Sequence, residues 1–381
     1  MNVSLVLMEK PTADFAGVFT RNRFPGAPVL VGRRRLAEPF VRGILVNTKI
    51  SNVCVQTGEE DAERLLQSLA AITGGKAQEY FAASTGIIGW RLPVEEMEAV
   101  LPALAHDAGS SSAVALARGI MTTDAFPKVR SATVGPGRIV GVAKGAGMIE
   151  PNMATLLCFL LTDISVPREE LRGHLAWCVE HSLNRISVDS DQSTSDMAIA
   201  LSSGAQGPAP AGAFREALLE VLRGLAFDIV RNAEGAGHAV RVRVENAEDQ
   251  AAALGVARAV ANSPLVKTAI FGNDPNVGRI VSAVGDYMGN AGREVRRQAM
   301  TVSLGGVDIF GNGSFLLDSA KEDWLSAYLR ERALKTGRVP WPQHDLTVDI
   351  VIRMDGDAPP VEVLGTDLSY EYVKENADYR S

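Results

Sequence analysis

The sequence predicts a mixed α/β fold, of α/β or α+β type, and three observations carry the prediction. Segments with helical spacing of apolar residues interleave with short β-branched segments along the whole chain, glycine-rich turns separate several of them, and no internal repeat is visible. With 381 residues, 46% hydrophobic and 22% charged, the chain has room for one large domain or two ordinary ones. That composition excludes a disordered or collagen-like protein.

The elements follow in order. VRGILVN at 41–47 reads as a buried strand, 61–71 as a helix with Leu65, Leu66 and Leu69 on one face, and 94–104 as a second helix. Gly135, Pro136, Gly137, Gly141, Gly145 and Gly147 punctuate a strand pair that ends at the apolar segment 155–161. Helical periodicity returns at 168–183 and 213–232, and SSGAQGPAPA at 202–211 reads as the linker between them. Residues 239–244 alternate like a strand, and 247–261 form an alanine-rich helix stopped by Asn262-Ser263-Pro264. Two alternating segments, 346–354 and 361–364, precede a helix-prone end at 369–376.

Charge and cysteine usage narrow the function. A net charge of −7 argues against nucleic acid as a partner, and the basic run Arg33-Arg34-Arg35 is short enough to be a solvated turn. Cys54, Cys158 and Cys178 lack metal-ligand spacing, so no metal site is expected, and their small number suits a reducing cytosol. The start MNVSLVLMEKPTADF lacks the pattern of a secretory signal, and no apolar run approaches the roughly 20 residues of a membrane span. The expectation is a cytoplasmic protein with no membrane partner.

The chemistry sits in KGAGMIEPNMATLL at 144–157, a glycine turn feeding an apolar strand with Thr155 at the junction. Attack of the Thr155 hydroxyl on the Ala154 carbonyl would turn the peptide into an ester, and hydrolysis would free the Thr155 α-amine. Such an amine, with an ordinary pKa of about 7.7–8.0, can serve the same residue as its base. A bare Ala-Thr pair carries no weight, because threonines commonly open strands. The whole run closely resembles the self-cleavage motif of the ornithine acetyltransferase family, which recycles an acetyl group from N-acetylornithine to glutamate. The resemblance extends from about residue 17 to the end.

Several segments carry implied roles. Ser84-Thr85-Gly86-Ile87-Ile88-Gly89 is similar to the family's oxyanion segment, which makes Thr85 and Gly86 the implied donors to the developing negative charge. Met121-Thr122-Thr123-Asp124 resembles its substrate-binding turn, with Thr122 the implied contact, and Lys144 matches its substrate lysine. Glu234 falls where the family keeps a carboxylate against the substrate's amino group, and Asn376 and Ser381 at its C-terminal substrate contacts. Outside the family context each has a plain structural reading: a strand-to-turn connection, a helix cap, a solvated lysine, an unstructured tail.

The resemblance implies the self-processing, N-terminal-nucleophile-type α/β (α+β) fold of the ornithine acetyltransferase and DmpA-like class. It also implies an α chain of residues 1–154, a β chain of 155–381, and an α2β2 heterotetramer. No cofactor is required, although some family members also take acetyl-coenzyme A as a substrate. Residues 46–60 depart from the pattern: the Asn and Thr-Gly-Glu frame is kept, but Lys49, Val53 and Val55 are bulkier than usual. His238 stands in place of a lysine, Val277 in place of a tryptophan and Ser381 in place of a threonine. These changes leave two further readings open, an aminopeptidase or amidase with the same nucleophile, and a repurposed or non-catalytic paralogue.

Overall fold

The computed structural model describes residues 1–150, 156–334 and 345–378. The chain forms two compact units, residues 1–184 with 191–229, and residues 185–190 with 230–381.

The first unit contains β1 (Val3–Thr12), β2 (Phe15–Phe19), α1 (Ala27–Arg35), β3 (Val41–Asn47), α2 (Gly58–Thr73), β4 (Tyr80–Ser84), α3 (Val94–Asp107) and α4 (Ala113–Gly119). It continues with β5 (Lys128–Val134), β6 (Gly137–Lys144), β7 (Leu157–Ile164), α5 (Arg168–Glu180), β8 (Met197–Gln206) and α6 (Ala213–Val230). These build a three-stranded sheet, β1-β3-β4, and a five-stranded sheet, β2-β8-β7-β6-β5. Val6, Ile44, Val46 and Phe81 of the first share one core with Phe15, Val142, Phe159 and Ile199 of the second. The other face of the small sheet takes Leu65, Leu66 and Leu69 of α2 with Met97 and Leu101 of α3, which is why both helices show the apolar periodicity read in the sequence. Gly141 leaves space on β6 for Val221 and Leu225 of α6, so helices cover the large sheet as well.

β7 begins at Leu157 and is hydrogen-bonded to β6 on one side, antiparallel with Lys144 opposite Leu157, and to β8 on the other, parallel with Leu157 opposite Met197. Flanked on both sides, its inner part is buried, which explains the continuous apolar run. The segment expected to be a linker at 202–211 is strand as far as Gln206. Residues 203–206 are exposed, so they carry no apolar alternation, yet the ladder to β7 holds them, with Ile164 opposite Gln206.

The second unit contains β9 (Ala239–Glu245), α7 (Gln250–Asn262), α8 (Pro264–Phe271), α9 (Val277–Asn290), β10 (Thr301–Leu304), β11 (Val307–Gly311) and β12 (Ser314–Phe315). It ends with α10 (Ser319–Glu331), β13 (Val348–Arg353), β14 (Val361–Thr366) and α11 (Tyr370–Ala377). The strands form a six-stranded sheet in the order β12-β11-β10-β13-β9-β14. Val240, Val242 and Val244 face a core shared with the alanines of α7, while Arg241 and Arg243 point out, so the alternation read at 239–244 holds. α7 starts three residues later than its periodicity suggests, because Asp249 caps it by accepting from the Ala252 amide at 2.7 Å. Asn262-Ser263-Pro264 does more than stop that helix: Ser263 caps α8 and Pro264 supplies its first turn.

Among the described residues, no helix is long and apolar enough to cross a membrane, and no group of three His, Cys, Asp or Glu is placed to hold a metal ion. Cys54, Cys158 and Cys178 are free thiols.

Candidate active site

Thr85 and Gly86 follow β4, and the local backbone explains why the pair is small. The Thr85 amide donates to Asn47 O at 3.1 Å, and the Ser84 hydroxyl to Asn47 Oδ1 at 2.6 Å. Gly86 has φ +132°, and a Cβ there would stand 2.1 Å from the Lys49 carbonyl carbon and 2.6 Å from the Ile50 amide nitrogen. Glycine alone fits. Ile87 N donates to Lys49 O at 2.9 Å, and Ser51 donates to Ile87 O from its amide at 3.0 Å and its hydroxyl at 2.8 Å. The departing segment 46–60 is therefore the wall against which the Thr85-Gly86 turn is built. Lys49, Asn52 and Cys54 there adopt left-handed φ angles of 72°, 55° and 56°. The retained frame has structural work: Asn47 also donates to Ile50 O at 2.8 Å, and the Thr57 hydroxyl donates to Asp61 at 2.8 Å near the start of α2.

The same unit brings the exposed Thr122 against a buried charged cluster that includes Lys144. Lys144, the last residue of β6, is 8% exposed, and its Nζ lies 3.5 Å from the Thr122 hydroxyl. Asp124 organises both. Its Oδ1 accepts from Lys128 Nζ at 2.5 Å and from the Gly145 amide at 2.8 Å, and its Oδ2 from the Thr122 amide at 3.1 Å. Burial alone would push the Asp124 carboxyl up, but Lys128, Lys144 and the Gly145 amide together hold it below the ordinary value, so it is ionised. One carboxylate thus ties the Thr122 turn to the loop leaving β6.

Asp196 lies immediately before β8, 1% exposed. Burial pushes its carboxyl well above the ordinary range, against the Leu156 amide and Lys144, which pull it down. Sequence reading counted neither Asp124 nor Asp196 among the site residues. The available signals were an Asp and a Lys four apart in a segment ending at a strand, and an Asp directly abutting the apolar run MAIAL. Neither pattern is specific without the fold.

In the second unit, Asn376 of α11 donates to Glu234 Oε2 at 3.0 Å. The contact depends on how α11 starts: the Ser369 hydroxyl accepts from the Tyr372 amide at 3.0 Å and donates to Gly235 O at 2.6 Å. Gly235, with φ +60°, has no space for a Cβ, which would fall 2.2 Å from the Tyr372 amide nitrogen. Glu371 and Glu375 join Glu234, and the Glu375 carboxyl is raised by burial and then by the charges of Glu234 and Glu371. A carboxylate group of this kind suits a cationic amine.

The departures at 238 and 277 are structural in this unit. His238 is buried, with Nδ1 2.7 Å from Asp367 Oδ2 and Nε2 3.1 Å from Leu329 O. The ring is thus held between the Asp367 carboxylate and the Leu329 carbonyl, in the place where the family keeps a lysine. Val277 opens α9 and is buried in the valine-rich core, where it needs no polar partner. Ala154, Thr155 and Ser381 lie outside the described residues. Their neighbour Leu156 is buried, and its carbonyl accepts from the Met197 amide at 3.1 Å.

A family model described as the ArgJ family matches residues 1–381. The arginine biosynthesis bifunctional protein ArgJ of Nitratidesulfovibrio vulgaris is 40% identical over 393 residues, spanning 100% of this chain and 94% of that protein. Glutamate N-acetyltransferase Oat2 of Streptomyces clavuligerus is 35% identical over 378 residues, spanning 98% of this chain and 92% of that protein. A crystal structure of arginine biosynthesis bifunctional protein argJ from Bacillus halodurans matches with a TM-score of 0.49 and 30% identity, over 57% of this chain and 97% of that chain.

Proposed function

The chain belongs to the ArgJ family, and from that premise we propose that it is a glutamate N-acetyltransferase of arginine biosynthesis that works through Thr155. The observation that carries the reading is the match over residues 1–381, together with the Thr85-Gly86 turn that only glycine can complete. The chain is cut between Ala154 and Thr155 into an α chain, 1–154, and a β chain, 155–381. The cut would separate β6 from β7, and their ladder from Ile139 opposite Thr162 to Lys144 opposite Leu157 supports the two pieces staying together.

In the reaction the Thr155 α-amine takes the hydroxyl proton as Oγ attacks the acetyl carbonyl of N-acetylornithine. Thr85 and Gly86 hold the oxyanion, ornithine leaves with the proton, and glutamate then takes the acetyl group by the reverse sequence. Thr122 and Lys144 bind substrate, and Glu234, Asn376 and Ser381 recognise its amino-acid end. The ionised Asp124 behind Thr122 and Lys144, and the carboxylates around Glu234, support those roles. No metal or organic cofactor takes part; acetyl-coenzyme A is an alternative acetyl donor. The working form is an α2β2 tetramer in the cytoplasm.

Intact-mass measurement tests the reading. Unchanged protein should give two fragments, the second beginning at Thr155, and Thr155→Ala a single chain. Labelled acetyl from N-acetylornithine should reach glutamate only in the cut protein. Transfer to water regardless of glutamate would instead make the protein a hydrolase, and an uncut, inactive wild type would sink the proposal.

A further inference from the structure

β3 and β4 run side by side in parallel and end at the same level, with Asn47 opposite Ser84. Register partners project to one face of a sheet, so the two side chains meet there, both buried. The Ser84 hydroxyl donates to Asn47 Oδ1 at 2.6 Å, and Asn47 Nδ2 donates to Ile50 O at 2.8 Å. Chemistry fixes which way the carboxamide points: a carbonyl only accepts, so the nitrogen must face Ile50 O and the oxygen the hydroxyl.

The bond to Ile50 closes the backbone from 47 to 50 on itself, through Lys49 at φ 72°, a left-handed angle that lysine adopts only at a cost. That closure sets the spacing of two carbonyls. Asn47 O accepts from the Thr85 amide at 3.1 Å, and Lys49 O from the Ile87 amide at 2.9 Å. The amides on either side of Gly86 are thus seated on carbonyls whose separation the Asn47 side chain fixes. Ile50 itself bridges to Thr85 and to Ile87, and its amide nitrogen stands 2.6 Å from where a Gly86 Cβ would lie. One carboxamide therefore holds the start of the turn, through Ser84, and the wall behind it, through Ile50.

We infer that Asn47 is a positioning residue for acetyl transfer, acting through Ser84 and Ile50 to fix Thr85 and Gly86 where they meet the developing oxyanion. The role rests on the reading of Thr85 and Gly86 as the oxyanion donors. Such donors stabilise a transition state only when already aimed at the place the charge will occupy, and a displacement of about 1 Å can cost about 100-fold in rate. Ground-state binding makes little use of them, so disturbing Asn47 should leave it unchanged. An asparagine that merely closed the 47–50 turn would alter stability and leave transition-state affinity alone.

The test compares wild type, Ser84→Ala, Asn47→Asp and Thr85→Ala in acetyl transfer from N-acetylornithine to glutamate. Inhibition is measured beside it with two ligands, ornithine and a small alkylboronic acid that copies the tetrahedral adduct. Ser84→Ala removes the hydroxyl that orients the carboxamide. Asn47→Asp keeps an acceptor for Ser84 but sets a carboxylate oxygen against Ile50 O at neutral pH. Each should lower kcat/KM by about 10- to 100-fold and weaken the boronic acid by the same factor, with the inhibition constant of ornithine unchanged. An inhibition constant is independent of the fraction of protein that is folded, so loss of fold alone moves neither ligand. Losses under about 3-fold in Ser84→Ala, or equal losses for ornithine and the boronic acid, overturn the inference. Should Asn47→Asp fail to fold or stay uncut, Ser84→Ala decides. A Thr85→Ala variant with wild-type transfer and boronic acid affinity defeats the oxyanion reading instead. If Thr85→Ala loses both while Ser84→Ala and Asn47→Asp keep them, only the role of Asn47 falls.

Discussion

Replacing Asp124 by asparagine should be among the most damaging conservative changes in this protein, and its cost can be worked from the contacts. Both side chains of the Asp124–Lys128 pair are 0% exposed. Removing one partner of such a pair strands the other charge, at about 3–5 kcal/mol. Asparagine also offers one oxygen where three donors converge, from Lys128, Gly145 and Thr122. Its amide nitrogen must then face a donor, adding about 1–3 kcal/mol. Together these give a loss of at least about 4 kcal/mol near neutral pH.

The loss has a sign in pH. A stranded Lys128 gives up its proton more readily folded than unfolded, so the unfolded chain binds more protons and stability rises with pH. The deficit against wild type should shrink as pH climbs toward 10, the ordinary lysine range. Urea unfolding followed by tryptophan fluorescence at several pH values measures this, and Asp124→Asn with Lys128→Met should recover most of it. A loss under about 1 kcal/mol in the single variant, unchanged with pH, would refute the assignment of Asp124 as the ionised centre of the cluster.

Two further outcomes follow from the geometry. Gly86→Ala would drive a Cβ into the Lys49 carbonyl group, displacing the turn proposed to hold the oxyanion; kcat for acetyl transfer should fall by about 100-fold or more, and a smaller fall would remove Gly86 from that role. Burial pushes the Cys158 and Cys178 thiols up to about 12, whereas Cys54 is exposed. A thiol reagent at pH 8 should therefore label one cysteine per native chain, located at Cys54 by peptide mapping, and fast labelling of Cys158 would contradict the buried β7.

The sequence by itself determined the elements whose packing writes a regular pattern: the apolar face of α2, the alternation of β9, the apolar run of β7, and the helix-prone end at 369–376. It also determined the family, because a long run such as KGAGMIEPNMATLL is specific where an isolated threonine is not. Residues that act through partners distant in sequence had no such signature. Asp124 gathers donors from 122, 128 and 145, and Met197, the neighbour of the buried Asp196, reaches Leu156 O only because β7 and β8 pair in parallel. His238 looked like a departure until Asp367 appeared against its ring, and the strand at 202–206 looked like a linker until β7 lay beside it. Periodicity records which face of an element is buried; the sign and protonation of a buried charge depend on what the folded chain places across from it, and tertiary structure alone decides that.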